Sequence, residues 1–318
     1  MSLTSFFKFV EIQTKLASII PFILGTLFSL YRYKSFIVKN FIIMGISLLA
    51  FDMATTAINN YIDYKKALNN DNCKSKNRIV KYGIKESTAI AIIFTLLLIA
   101  IFFGVLLTLN TNLVVLLIGI ISFLAGILYT YGPIPISRMP LGEIFSGLFM
   151  GFIILFLSCY IHIFDKNIIS IIYNNNILNI SINLVEVLYI FLISIPTISC
   201  IANIMLANNI CDLKEDIINN RYTLPYFLGK KTSFNLFRTL YYIAYLDIII
   251  LVILKITPFV TLLVILTIIP ISKNINSFYQ NPVKSKTFIL SIKNFALMSI
   301  TNIILLLLAF VFNGKNEG

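Results

Sequence analysis

The chain has 318 residues, 58% of them hydrophobic and only 12% charged, against roughly 25% charged in a typical soluble domain. That composition excludes an ordinary soluble enzyme and points to an integral membrane protein in the cell membrane. The net charge of +12 raises a nucleic-acid partner, but Lys and Arg gather in the loops between apolar runs, as they do on the cytoplasmic side of membrane proteins, so the sequence predicts a lipid bilayer and no nucleic acid.

A spanning helix needs about 20 apolar residues, which leaves room for about nine spans with short connections and no large soluble unit. Residues 1–318 therefore read as a single transmembrane domain: an all-α, polytopic bundle of about nine helices with a cytoplasm-facing active-site cavity. The first residues, MSLTSFFKFVEIQTKLASII, carry Glu11 and lack a small-residue cleavage site, and read as a short amphipathic lead-in to the first span. Apolar runs follow at about 16–34, 38–62, 86–108, 112–131, 141–163, 186–211, 235–255, 257–272 and 287–313.

The segment after the second run holds Lys65, Lys66, Lys74, Lys76, Arg78, Lys81 and Lys85, and that after the sixth holds Lys214, Arg221, Lys230 and Lys231. Lys273, Lys284 and Lys286 follow the eighth. All three segments are expected on the cytoplasmic side, with the N-terminus inside and the C-terminus outside. The segment 164–185 is rich in Asn and Ile and reads as a low-complexity loop over the outer face. Cys73, Cys159, Cys200 and Cys211 are scattered and His162 is the only histidine, so zinc, haem and iron–sulfur sites have little support. His162, inside an apolar run, reads as a packed or interfacial residue.

Asn-Asn-x-x-Asp occurs twice, as NNYID at 59–63 and NNICD at 208–212, at the ends of the second and sixth runs. Asp63, Asp71, Asp212, Glu215 and Asp216 all lie at those ends or just beyond. Positions four apart share a helix face, which joins Asn59 to Asp63, Asn208 to Asp212, and Asp212 to Asp216. Crowded carboxylates call for a cation between them, and hard oxygen donors suit Mg²⁺, which completes its shell with water and phosphate oxygens. Lys65, Lys214, Arg78, Arg138 and Arg221 are the basic residues expected to hold a diphosphate. A single helix-end Asp is ordinarily a solvated flank. Two copies of the pattern on the same predicted side, as an internal duplication would place them, argue for a shared site. Deeper in the second run, Asp52, Thr56, Asn59 and Asp63 form one stripe. Asp52 either orients or deprotonates an acceptor, or stays a neutral, hydrogen-bonded acid within the bundle.

These motifs resemble those of the UbiA superfamily of intramembrane aromatic prenyltransferases, most closely its 1,4-dihydroxy-2-naphthoate prenyltransferase branch. NNYIDYKKALNND resembles the first family motif, NNICDLKEDIINNRYTLPYFLGKK the second, YTYGPIPISRMPLGE the segment between helices 4 and 5, and TKLASIIPFILGT the opening. The likeness covers nearly the whole chain. It departs at Asn60, where the family often has Asp, at Asn69, with Asp71 two residues later, and at Cys211, where the family has Arg.

The resemblance implies Mg²⁺ bridging Asp63, Asp71, Asp212 and Asp216 to a polyprenyl diphosphate, with Asn59 joining Asp63, Asp212 and Asp216 in catalysis. Asn208, Asn209, Lys65, Lys214, Arg78, Arg138, Arg221, Tyr129 and Asp52 are the expected substrate contacts, with Arg138 and Tyr129 in a loop shaped by Gly132, Pro133 and Pro135. Glu143 reads as structural. The expected partners are a polyprenyl diphosphate and an aromatic quinone precursor, 1,4-dihydroxy-2-naphthoate first and 4-hydroxybenzoate, haem or a related acceptor as alternatives. An ion or solute transporter using Asp52 with Asp247, or a prenyl-binding protein without turnover, are the readings from other classes.

Overall fold

A computed structural model of the chain describes residues 2–67, 78–132, 135–174 and 176–314. Asn69, Asp71, Lys74, Lys76 and Pro133 lie outside the described residues. Among the described residues, eight helices are long and apolar enough to cross a membrane, and a shorter apolar helix accompanies them. Helices suit lipid because each satisfies its own backbone polar groups.

A short helix, α1 (Leu3–Phe9), precedes the spans. The spans are α2 (Leu16–Tyr33), α3 (Val38–Ala67), α5 (Glu86–Leu109), α6 (Leu113–Thr130), α7 (Gly142–Tyr160), α8 (Leu184–Ile218), α9 (Leu224–Ile253), α10 (Phe259–Gln280) and α11 (Ile289–Gly314). The one-turn α4 (Arg78–Lys81) sits between α3 and α5. Asn112 and Asn183 cap α6 and α8, each side-chain oxygen accepting a backbone N–H of the first turn. Both motif helices run past the ends of their apolar runs, to Ala67 and Ile218. Loss of hydrophobicity marks where a helix leaves the lipid, not where its hydrogen-bond ladder stops. The two Asn/Asp motifs consequently ride on continuous helix.

The segment 164–185 is not an irregular loop. It contains an antiparallel hairpin, β1 (Ile169–Asn174) and β2 (Ile177–Ile182), closed by the Asn174–Ile177 pair with Asn176 at φ 62°. Asn tolerates that left-handed backbone better than most residues. An Asn-Asn tip between Ile-rich arms is thus a turn signal, here hidden in the compositional bias of the chain.

Three buried clusters hold the bundle. One joins α2, α7 and α8 through Phe28, Leu155, Tyr160 and Ile193. A second fills α8 to α11 with Phe237, Tyr241, Phe278 and Met298. The third packs Phe9 and Val10 of the lead-in beneath the first motif, against Ala54, Ile79 and Ile93. Close helix approach depends on two glycines: a Cβ at Gly25 would lie 2.3 Å from the Leu155 carbonyl oxygen, and one at Gly151 would lie 2.7 Å from the Ile198 backbone. Gly151 belongs to a π-helical stretch of α7, Gly147–Ile153, a local widening that recurs at functional sites.

Candidate active site

A cavity of about 640 Å³ opens among α2, α3, α5, α6 and α7. Much of its wall is apolar, with Met44, Leu48, Ile101, Val105, Leu116 and Ile153. Asp52, Thr55, Thr56 and Asn59 of α3 give it a polar edge, joined by Glu11, Thr14 and Ser18 from the lead-in and α2. A long apolar chamber with a polar edge at one side matches an amphiphile whose tail and head differ in chemistry.

The stripe expected on α3 is present. Asp52, Thr56 and Asn59 all line the cavity, while Asp63, one turn beyond Asn59, is exposed. The Asn59 side-chain oxygen has no partner among the described residues. Asn60 turns the other way: its amide donates to the Phe9 carbonyl at 2.8 Å and to Glu11 Oε1 at 3.2 Å. An aspartate at 60 would have no N–H to give either acceptor, which accounts physically for Asn here.

On α8, Met205 lines the cavity, and Asn208 and Asp212 follow it at spacings that keep the same face. Asn209 is 1% exposed and donates to Glu143 Oε1 at 2.8 Å. Asp216 is 3% exposed and lies 3.5 Å from Arg221 Nε. Glu143 Oε2, Asn209 Oδ1 and Asp216 Oδ2 meet no partner in hydrogen-bonding geometry. Buried, unsatisfied oxygens of this kind mark a place where a cation or donor ligand is expected. Asp212 pairs with the Lys284 ammonium from the segment between α10 and α11.

In donor type, the carboxylate and amide oxygens of Asp212, Asp216, Asn209 and Glu143 suit Mg²⁺. Among the described residues no three acid, His or Cys side chains stand close enough to hold an ion unaided, so an ion there would need ligand or water oxygens to complete its shell.

The basic residues divide. Arg221 joins the second motif and donates to the Ser137 carbonyl at 3.2 Å. The Arg138 carbonyl accepts from the Tyr222 N–H at 3.2 Å, tying the α6–α7 connection to the α8–α9 connection, while its side chain lines a separate surface depression with Asn220 and Phe227. Arg78 pairs with Glu11 at 3.0 Å, and Lys65 pairs with Glu86 at the start of α5. Lys214 is exposed. Tyr129 lines the cavity, and its hydroxyl meets Met205 Sδ at 3.5 Å. Asp247 is buried in α9 and does not line the cavity, so it does not share a chamber with Asp52.

The UbiA prenyltransferase family pattern matches residues 18–312. The chain belongs to that family. It is 32% identical over 242 residues to the 1,4-dihydroxy-2-naphthoate octaprenyltransferase of Bacillus subtilis (strain 168), a match covering 76% of this chain and 71% of the relative. The fold is shared with the apo structure of a UbiA homologue from Aeropyrum pernix K1, at TM-score 0.67 and 20% identity over 92% of this chain and 98% of that one. It is also shared with an Archaeoglobus fulgidus homologue bound to GPP and Mg²⁺, at TM-score 0.61 and 14% identity over 96% and 99% of the two chains. This UbiA-family chain is a membrane prenyltransferase.

Four residues of the site escaped the sequence reading as contacts: Lys15, Glu11, Glu143 and Lys284. Glu143 carried a signal in its LGE setting. Glu11 and Lys15 lie in the segment that reads as an amphipathic lead-in to the first span, and Lys284 lies 72 residues from its partner in sequence, where no periodicity links them.

Proposed function

We propose that this prenyltransferase moves a polyprenyl group from polyprenyl diphosphate to C2 of 1,4-dihydroxy-2-naphthoate, releasing diphosphate and CO₂ and giving demethylmenaquinol, the reduced form of demethylmenaquinone. The observation that carries the acceptor is the 32% identity to the named naphthoate octaprenyltransferase. The cavity supports the donor: its apolar depth suits a prenyl chain, its polar edge leads along α3 to Asn59, and Met205 brings α8 to its wall.

In this reading the allylic C–O bond opens with its electron pair leaving on the diphosphate, the ring carbon attacks the allylic cation, and the carboxyl group departs as CO₂. Asn59, Asp63, Asp212 and Asp216 hold the diphosphate end, with Asp71 completing the first motif. Bound Mg²⁺ would neutralise charge developing on the leaving group. Arg221, and Lys214 at the same helix end, supply further positive charge. The apolar wall keeps water from the cation. The motifs face the cytoplasm, which sets the N-terminus inside and the C-terminus outside.

The test is product formation. Protein in nanodiscs is given farnesyl or geranylgeranyl diphosphate with 1,4-dihydroxy-2-naphthoate or 4-hydroxybenzoate, in Mg²⁺ or EDTA, and products are read by mass spectrometry. Magnesium-dependent, decarboxylated naphthoate product supports the assignment. Product with 4-hydroxybenzoate alone would replace the acceptor, and no product from folded protein would sink the reading.

A further inference from the structure

The Lys15 side chain is 1% exposed, yet it ends in an ammonium beside the cavity. Its Nζ donates to Asp52 Oδ1 at 2.7 Å, to the Asp52 carbonyl at 2.9 Å and to Thr56 Oγ1 at 2.6 Å. Those three bonds use all three donors of an ammonium. On the other carboxylate oxygen, Ser18 Oγ donates to Asp52 Oδ2 at 2.6 Å. The carboxylate is thus fixed from two sides, and a carboxylate has about four acceptor positions, so about two remain. Its side chain is 14% exposed, and the residue lines the cavity.

A buried ion pair is a weak source of stability, since apolar residues of similar volume often do as well or better. What the pair adds is a carboxylate held at a fixed point of the wall. Among the described residues lining the cavity, none is Lys, Arg or His, and the only acids are Glu11 and Asp52. Glu11 is engaged by Arg78 and Asn60. Asp52 is then the inner acceptor, and it selects a ligand that donates a hydrogen bond while repelling a second anion. Asp52 and Asn59 stand seven residues apart on one helix, roughly 10 Å along the axis, a gap that fits a two-ring aromatic nucleus.

We infer that the Asp52 carboxylate anchors a ring hydroxyl of the acceptor, and that Lys15 is the positioning residue holding that carboxylate in orientation. The inference rests on the proposed prenyl transfer to a hydroxylated aromatic. It places the hydroxyl inward on Asp52 and any acceptor carboxylate away from it, toward the Asn59 end of the cavity.

The test separates binding from turnover. Equilibrium binding of 1,4-dihydroxy-2-naphthoate and of 2-naphthoate, which lacks hydroxyls, is measured on protein in nanodiscs by ligand fluorescence. Wild type is expected to favour the hydroxylated ligand by about tenfold or more, the size of a hydrogen bond to a charged group. The paired variant Lys15→Met/Asp52→Leu keeps the wall filled without a stranded charge. It is expected to fold, to bind farnesyl diphosphate as before and to lose that preference, with acceptor KM rising about tenfold and kcat changing far less. Asp52→Asn, which keeps the side-chain shape, is expected to lose most of the preference as well. Lys15→Arg, which keeps the charge, is expected to retain it. An unchanged hydroxyl preference in either folded Asp52 variant, or none in wild type, would overturn the inference even where product forms. Absence of product with intact hydroxyl preference would instead count against prenyl transfer alone.

Discussion

The two Asn-Asn-x-x-Asp ends share a sequence and differ in surroundings. At the α8 end Asn209 and Asp216 are buried and the polar groups are braced: Asn209 on Glu143, Asp216 near Arg221, and partly buried Asp212 under Lys284. At the α3 end only Asn59 faces the cavity, Asp63 is exposed, and Asn60 is committed to the lead-in. Among the described residues, the same five-residue pattern has thus produced one braced end and one with its Asn59 oxygen unpartnered and Asp63 exposed. In the proposed reaction the open end would admit the diphosphate and the braced end would fix where it stops, since preorganised groups need less rearrangement when charge develops.

The braced end can be broken through Glu143. Glu143→Ala strands the Asn209 amide in a buried site, which costs about 1–3 kcal/mol, and turnover is expected to fall about tenfold or more in protein that still elutes as a folded species. Glu143→Gln, which preserves an acceptor oxygen, is expected to recover most of it. Full activity in Glu143→Ala would show that the bracing of α8 is not preorganisation.

Lys284 sharpens the contrast, because its ammonium occupies a position on Asp212 that a metal ion would compete for. Lys284→Ala is expected to lower the Mg²⁺ concentration for half-maximal turnover several-fold. The lysine is half exposed, so its removal is expected to change thermal stability by less than about 1 kcal/mol. A weaker metal response in the variant would assign Lys284 to the diphosphate instead.

His162 lies outside both ends and serves as a control. It is fully buried, its Nδ1 accepts from the Ile37 N–H at 3.0 Å, and burial lowers its pKa from 6.5 to about 4. With the folded value below the unfolded one, the unfolded chain binds more protons between pH 6.5 and 4, so stability falls as pH drops through that window. The loss at pH 5 is on the order of 2 kcal/mol. It is expected to disappear in His162→Asn, as followed by dye labelling of the buried Cys159 and Cys200 on heating. A pH slope that persists in the variant would place the titrating group elsewhere.

Much of this was legible in the sequence. Apolar runs gave the spans, and the helical stripe through Asp52, Thr56 and Asn59 gave the cavity edge, because both follow from local periodicity. What periodicity cannot supply is who meets whom across the bundle. Nothing in the lead-in's sequence singles out Lys15, whose long side chain carries the ammonium inward to Asp52. Lys65 and Arg78 read as diphosphate ligands from their position beside the motif, yet each is paired with a glutamate. The hairpin was hidden for the opposite reason, since its Asn-rich turn was discounted as compositional bias.

The central claim is that both motif ends act on one diphosphate. The direct measurement is Mg²⁺-dependent product formation from prenyl diphosphate by Asp63→Ala and Asp212→Ala, each assayed beside wild type in nanodiscs with folding checked by size exclusion. The account predicts that each single variant loses about a hundredfold or more in turnover, the scale of removing one preorganised electrostatic group. Wild-type turnover in either folded variant would contradict it.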